Sequence, residues 1–276
     1  MKNVKVDSDY AEVNGVTICF EIHGQGPPLL LIHGWGFSSK EWGIKLIDTL
    51  SQNHHVILMD NRGTGNSTRQ CKITLEGMAE DSHQLLKHLH KTPANVFGYS
   101  MGGFIAQQLA IKHPESVNKL IVGATSPGGP DSQMGVWYNE TETTRLLEDI
   151  SELSLPVFWN LMYTLKDDKE GFNSLRERVS EWTTPSKYWT NPASSEVYFD
   201  QFYAMMNSRV YQKLSEIEAD TLILSGEMDE VFPQVNSDIL NESITKSQNK
   251  IIEGASHSFL WEKMDQVVGL VNDFLL

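Results

Sequence analysis

Short, unbroken apolar runs constrain this chain most. "PPLLLIHG", "HHVILMD", "ANVFGYS", "VNKLIVGA" and, much later, "DTLILSGE" and "NKIIEGA" are continuous rather than alternating. A strand that is apolar on successive residues has to bury both faces, as a parallel sheet covered by helices on each side requires. Helical stretches at about 39 to 50, 75 to 91 and 101 to 113 separate the first four runs, so the order predicts parallel strands joined by crossover helices. Ahead of them, "YAEVNGVTICFEIHGQG" alternates around Asn14-Gly15, a dipeptide suited to the positive φ angles of a type I′ turn, and predicts two antiparallel strands.

After Ala124 the alternation stops, and it resumes only with the run at 220 to 227, the run at 249 to 255 and an amphipathic helix from about 262. The reading is an α/β core made of residues 1–127 and 207–276, with residues 128–206 inserted as a helical lid packed on the core.

Among the 276 residues no run approaches the roughly 18 apolar residues of a membrane span, and the polar N-terminus lacks the apolar region of an export signal. With Cys19 and Cys71 the only cysteines, a disulfide framework is not expected, and a cytoplasmic location is. The 36 acidic residues against 22 Lys and Arg give a net charge of −14, which repels phosphate backbones and anionic lipid. A small molecule is therefore the expected partner, with neither nucleic acid nor membrane. Nothing in the chain speaks to oligomeric state.

The stretch "NVFGYSMGGFIAQQLA" puts Ser100 between a strand pattern and a helix pattern, with Gly98, Gly102 and Gly103 around it. Small neighbours let the backbone turn tightly there and let the helix pack closely, so the hydroxyl would project above the carboxyl ends of the strands, where ligands of open α/β sheets bind. Taken alone, the same pattern also fits a serine that merely caps the helix. A serine nucleophile needs a base and an anion that orients the base. Asp229 in "LSGEMDEVFP" and His257 in "EGASHSF" follow the last two strands, and the order Ser100, Asp229, His257 suits three residues on one rim of the sheet. Attack on a carbonyl creates an oxyanion, for which the backbone N–H groups of Met101 and of Trp35, in "LIHGWG", are the candidate donors.

Over essentially its whole length the chain resembles the α/β-hydrolase fold superfamily. The resemblance is carried by "HGWG" at 33 to 36, "DNRGTGNS" at 60 to 67, "GYSMGG" at 98 to 103 and the Asp229 and His257 loops. It implies an α/β fold with a mostly parallel eight-stranded sheet flanked by helices, and a helical lid inserted after the sixth strand. "HGW" paired with "SMGG" is similar to the aryl-esterase and perhydrolase branch and to 3-oxoadipate enol-lactonases, which are cofactor-free serine hydrolases. By resemblance Ser100 is nucleophile, His257 base, Asp229 its orienter, and Trp35 and Met101 oxyanion donors. "HGWG" departs from the "HGGPG" type of proline iminopeptidases, and Ser258 replaces the tryptophan common after the base in carbon–carbon bond hydrolases.

The glycine-rich "DNRGTGNS" lacks the Gly-Lys-Ser/Thr ending of a phosphate loop, so Asp60 and Arg62 are read as structural. His83, His88 and His90 do not converge on one helical face and are read as a solvated surface; no metal and no cofactor are expected. Residues 130 to 205 hold 13 of the 26 aromatic residues and 13 acidic against 6 basic ones. That composition favours neutral substrates in an apolar pocket, with Trp137, Trp159 and, outside the lid, Phe232 as candidate contacts. The expected activity is hydrolysis of small neutral carboxylic esters or lactones through an acyl-enzyme. Carbon–carbon hydrolysis or perhydrolysis on the same scaffold, and a slowly hydrolysing ligand receptor, are the alternatives.

Overall fold

The computed structural model describes residues 8–133, 193 and 195–276. Its eight strands are β1 (Asp9–Val13), β2 (Val16–His23), β3 (Pro28–Ile32), β4 (His55–Met59), β5 (Ala94–Tyr99), β6 (Val117–Gly123), β7 (Asp220–Gly226) and β8 (Ser247–Ile252). They form one sheet in the order β1-β2-β4-β3-β5-β6-β7-β8. β2 runs antiparallel to both β1 and β4, and the other neighbours are parallel. The opening hairpin closes at Val13↔Val16 with φ of 48° at Asn14 and 74° at Gly15, the positive values a type I′ turn requires.

Strands β3 to β7 divide their side chains between two cores, whereas β8, at the edge of the sheet, buries only Ile252. Leu30, Ile32, Ile57, Met59, Val96, Leu120, Val122 and Ile223 join a cluster containing residues of α2 (Leu75–His88) and α3 (Met101–Lys112). Leu29, Leu31, Val56, Leu58, Phe97, Ile121, Leu222 and Leu224 join the opposite cluster, with α1 (Ile44–Leu50) and a C-terminal helix, Met264–Leu275. This division is why the strands read as continuous apolar runs: successive side chains point to opposite faces, and both faces are covered.

Helix boundaries differ from expectation where glycine intervenes. The helix expected over 39 to 50 is a 3-10 turn, Ser39–Trp42, followed by α1, because Gly43 adopts φ 79° between them. The C-terminal helix is preceded by a separate turn, Phe259–Glu262. The loop after β4 is held from within. Asp60 accepts hydrogen bonds from the N–H of Ser39 at 2.7 Å and of Asn66 at 2.9 Å, and buried Arg62 makes a two-pronged ion pair with Asp81, both contacts 2.6 Å.

Of the three histidines read as solvated, His88 and His90 are exposed but His83 is buried. The C-terminal end of α3 covers it: His83 and His113 stack with centroids 3.8 Å apart. Most of the proposed lid lies outside the described residues, including Trp137 and Trp159; its last helix, α4 (Ser195–Met206), is described. None of the described helices is long and apolar enough to cross a membrane.

One acid is folded into the core edge. Glu41, in the 3-10 turn, is buried, and desolvation pushes its carboxyl up to about 8, opposed by the Ser38 hydroxyl 2.6 Å away. The folded chain therefore keeps Glu41 neutral below pH of about 8, while the unfolded chain ionises it above about 4.3. Stability should fall as pH rises through that window, since the folded state alone retains the proton. Glu41→Gln should flatten this dependence; chemical unfolding at about pH 5 and about pH 8 checks it, and equal slopes for wild type and variant would refute it.

Candidate active site

Ser100 occupies the turn between β5 and α3 at φ 55° and ψ −121°, a conformation rarely tolerated by a residue with a side chain. Three glycines make that turn possible by absence of bulk. A Cβ on Gly98 would lie 2.2 Å from the Gly102 carbonyl, one on Gly102 would lie 1.9 Å from the Ile32 carbonyl, and one on Gly103 would lie 2.5 Å from Thr125. The turn is then tied down from both sides: the Ser100 N–H donates to Gly123 at 2.8 Å, and its carbonyl accepts from the Thr125 hydroxyl at 2.8 Å. The Ser100 side chain makes no capping bond to α3. Its Oγ lies 3.1 Å from His257 Nε2 instead.

His257 arrives on the loop after β8 and is buried. Its Nδ1 lies 2.9 Å from Asp229 Oδ2. The other carboxylate oxygen of Asp229 accepts the N–H groups of Val231 at 2.8 Å and Phe232 at 2.9 Å, so the side chain is held in the loop after β7. With the Nδ1 proton directed at the carboxylate, Nε2 presents its lone pair to the serine hydroxyl. Glu227, close by in sequence, is exposed, and its carboxylate accepts the N–H of Gly254 at 2.8 Å.

The loop after β3 lies against the serine: a Cβ on Gly34 would be 3.1 Å from Ser100 Cβ and 3.5 Å from its Oγ. Behind the loop, the His33 ring is enclosed by Phe37 at 4.9 Å, Trp42 at 4.7 Å, Tyr99 at 6.0 Å and Trp261 at 6.1 Å. Burial there pulls the His33 imidazole down to about 3, keeping it neutral. Trp35 is buried with its ring 5.8 Å from Phe202 of α4. Met101, also buried, opens α3, where backbone N–H groups have no partner within the helix. Phe232 is buried beside the histidine, with ring centroids 5.7 Å apart.

Two further residues belong to this arrangement and were not singled out in the sequence. Gln201 of α4 is fully buried and accepts the Gly36 N–H at 2.8 Å, joining the lid to the loop that carries Trp35. A polar residue among the aromatics of that helix was the available signal. Tyr99 donates its hydroxyl to the His257 carbonyl. Desolvation raises the Tyr99 phenol well above its ordinary value, which keeps it a donor. Nothing distinguishes Tyr99 in the sequence from the other apolar residues of β5.

Compared with known families, residues 27–264 match the alpha/beta hydrolase fold. A pimeloyl-[acyl-carrier protein] methyl ester esterase from Aeromonas hydrophila subsp. hydrophila is 24% identical over 271 residues, covering 94% of this chain and 100% of its own length. The proline iminopeptidase PfmaB from Pestalotiopsis fici is 24% identical over 282 residues, covering 97% of this chain and 99% of its own. Among solved structures, the enol-lactonase from Burkholderia xenovorans LB400 superposes with a TM-score of 0.81 at 21% identity, over 97% of this chain and 99% of that one. A likeness at that identity carries the fold. From strand order, from the turn at Ser100 and from a family match over most of its length, the chain belongs to the alpha/beta hydrolase fold family.

Proposed function

We propose that this protein is a serine carboxylic-ester hydrolase acting on small neutral esters or lactones through an acyl-enzyme. The observation that carries the proposal is the hydrogen-bonded chain from Ser100 Oγ through His257 to Asp229, at 3.1 Å and 2.9 Å. In this mechanism the Ser100 oxygen attacks the substrate carbonyl while His257 Nε2 takes the hydroxyl proton. Asp229 stabilises the resulting imidazolium and holds its ring. The oxyanion receives the N–H groups of Met101 and Trp35, already oriented by the start of α3 and by the loop after β3. Collapse expels the alcohol, which takes its proton from His257, and a water activated by the same base then releases the acid.

Support for a neutral substrate comes from charge. The segment 130 to 205 carries 13 acidic against 6 basic residues, and such a field disfavours anionic acyl donors. Trp35, Phe104 and Phe232, all buried, supply an apolar wall beside the serine and histidine. The names of two relatives, a methyl ester esterase and an enol-lactonase, agree with ester and lactone chemistry.

A panel of short esters and lactones, with Ser100→Ala as blank, tests the class; turnover by wild type alone is expected, and binding without turnover would favour the receptor alternative. An organophosphonate ester should inactivate the enzyme with one adduct on Ser100 by mass spectrometry, and an adduct elsewhere would sink the nucleophile assignment. Asp229→Asn should fold normally yet lose activity steeply, because the amide favours the wrong imidazole tautomer; the corresponding change in a serine protease costs about 10⁴ in kcat. Retention of activity within about threefold would show that another group orients the base.

A further inference from the structure

At the end of α3 remote from Ser100, about 18 Å along the helix at 1.5 Å per residue, side chains of metal-ligating chemistry meet. Glu80 and His83 stand three apart on α2, hence on one face, and His113 arrives from the end of α3. One potential ligand atom from each of the three lies within 4.8 Å of the others. Among the described residues no other group of this kind occurs.

One outer contact fixes the His83 ring. His83 Nδ1 pairs with the Ser116 hydroxyl at 2.7 Å, and His113 Nδ1 faces the Glu115 carboxylate at 3.6 Å. The His83 Nδ1 atom is thus hydrogen-bonded on the outer side, which leaves its Nε2 for the inner one; a ligating histidine characteristically gives its second nitrogen to such a partner. On the inner side His113 Nε2 already meets Glu80 Oε2 at 2.9 Å, and Gln84 donates to the other oxygen of Glu80 at 2.8 Å. The two imidazoles stack at 3.8 Å and 8°, so at least one ring has to turn out of the stack before both in-plane lone pairs can reach one ion.

We propose that Glu80, His83 and His113 form a binding site for a divalent transition-metal ion of the zinc class. Two imidazole nitrogens and one carboxylate oxygen suit zinc, nickel, cobalt or copper, whereas magnesium and calcium prefer oxygen donors throughout. Metal–ligand bonds of about 2.0–2.2 Å require the three groups to draw together, with the ion taking the place of the direct His113–Glu80 hydrogen bond. Partial exposure of the Glu80 and His113 side chains, 26% and 17%, leaves a path for the ion and a position for water. The ion clamps α3 to α2 and takes no part in chemistry at Ser100.

Full-length, tag-free protein treated with EDTA and titrated calorimetrically with zinc chloride tests this. We expect one zinc per chain, a raised Tm on saturation, and binding weaker by about tenfold or more in both Glu80→Gln and His113→Asn. Both substitutions fall at partly exposed side chains, so circular dichroism should report an unchanged fold. The double variant His88→Asn/His90→Asn and the Ser100→Ala variant should bind zinc as wild type does, and ester turnover should be unaffected by EDTA. Absence of saturable zinc binding, binding unchanged by His113→Asn, or binding lost in the His88/His90 variant would overturn the proposal.

Discussion

The close approach of α3 to the carboxyl end of β3 governs the rest of this structure. With the bare backbone of Gly102 set so that even a methyl group would lie 1.9 Å from the Ile32 carbonyl, the helix has one available position, and Ser100 at its head is forced into a conformation that serine avoids. Such strain persists only where surrounding bonds over-determine it, and here the Gly123 carbonyl and the Thr125 hydroxyl do so. The same packing sets Gly34, in the loop after β3, against the serine. The strained turn at Ser100 and the close approach of the Gly34 loop are therefore consequences of one helix–sheet contact.

The hydrogen-bonded chain extends this contact along the sheet edge. β7 and β8 pair in register beyond β6, and the loops that follow them deliver Asp229 and His257 to the same rim as Ser100. The two partners are anchored differently: two main-chain N–H groups fix the Asp229 carboxylate, and the Tyr99 side-chain hydroxyl grips the His257 carbonyl. Anchoring of this kind limits the lateral freedom of the imidazole, on which proton transfer over about 3 Å depends.

The strands were legible because burial of both faces writes itself as an unbroken apolar run, and Asn14-Gly15 named its own turn. The break at Gly43 was not, since a glycine within an otherwise helical pattern costs only about 1 kcal/mol and does not declare the φ it adopts. Ser100, Asp229 and His257 stood out because each follows a strand in the expected order. Gln201 did not, because its partner is a backbone N–H 165 residues away. For the same reason His83 looked like one of three surface histidines: its environment is set by His113 and Ser116, which lie on a different element. Periodicity reports which face of a helix is buried, and it is silent on what buries it.

The lid enters the chemistry through α4. Val197, Asp200 and Gln201 recur on one face of that helix, so Val197 meets Gly63, Asp200 pairs with Arg69 at 2.6 Å, and Gln201 holds the Gly36 N–H, while Phe202 packs on Trp35. The loop that carries Trp35 is thus bonded to the element that leads out of the lid. Under the proposed mechanism, a change in how α4 seats would move the Trp35 N–H with it, coupling the position of this helix to stabilisation of the tetrahedral intermediate.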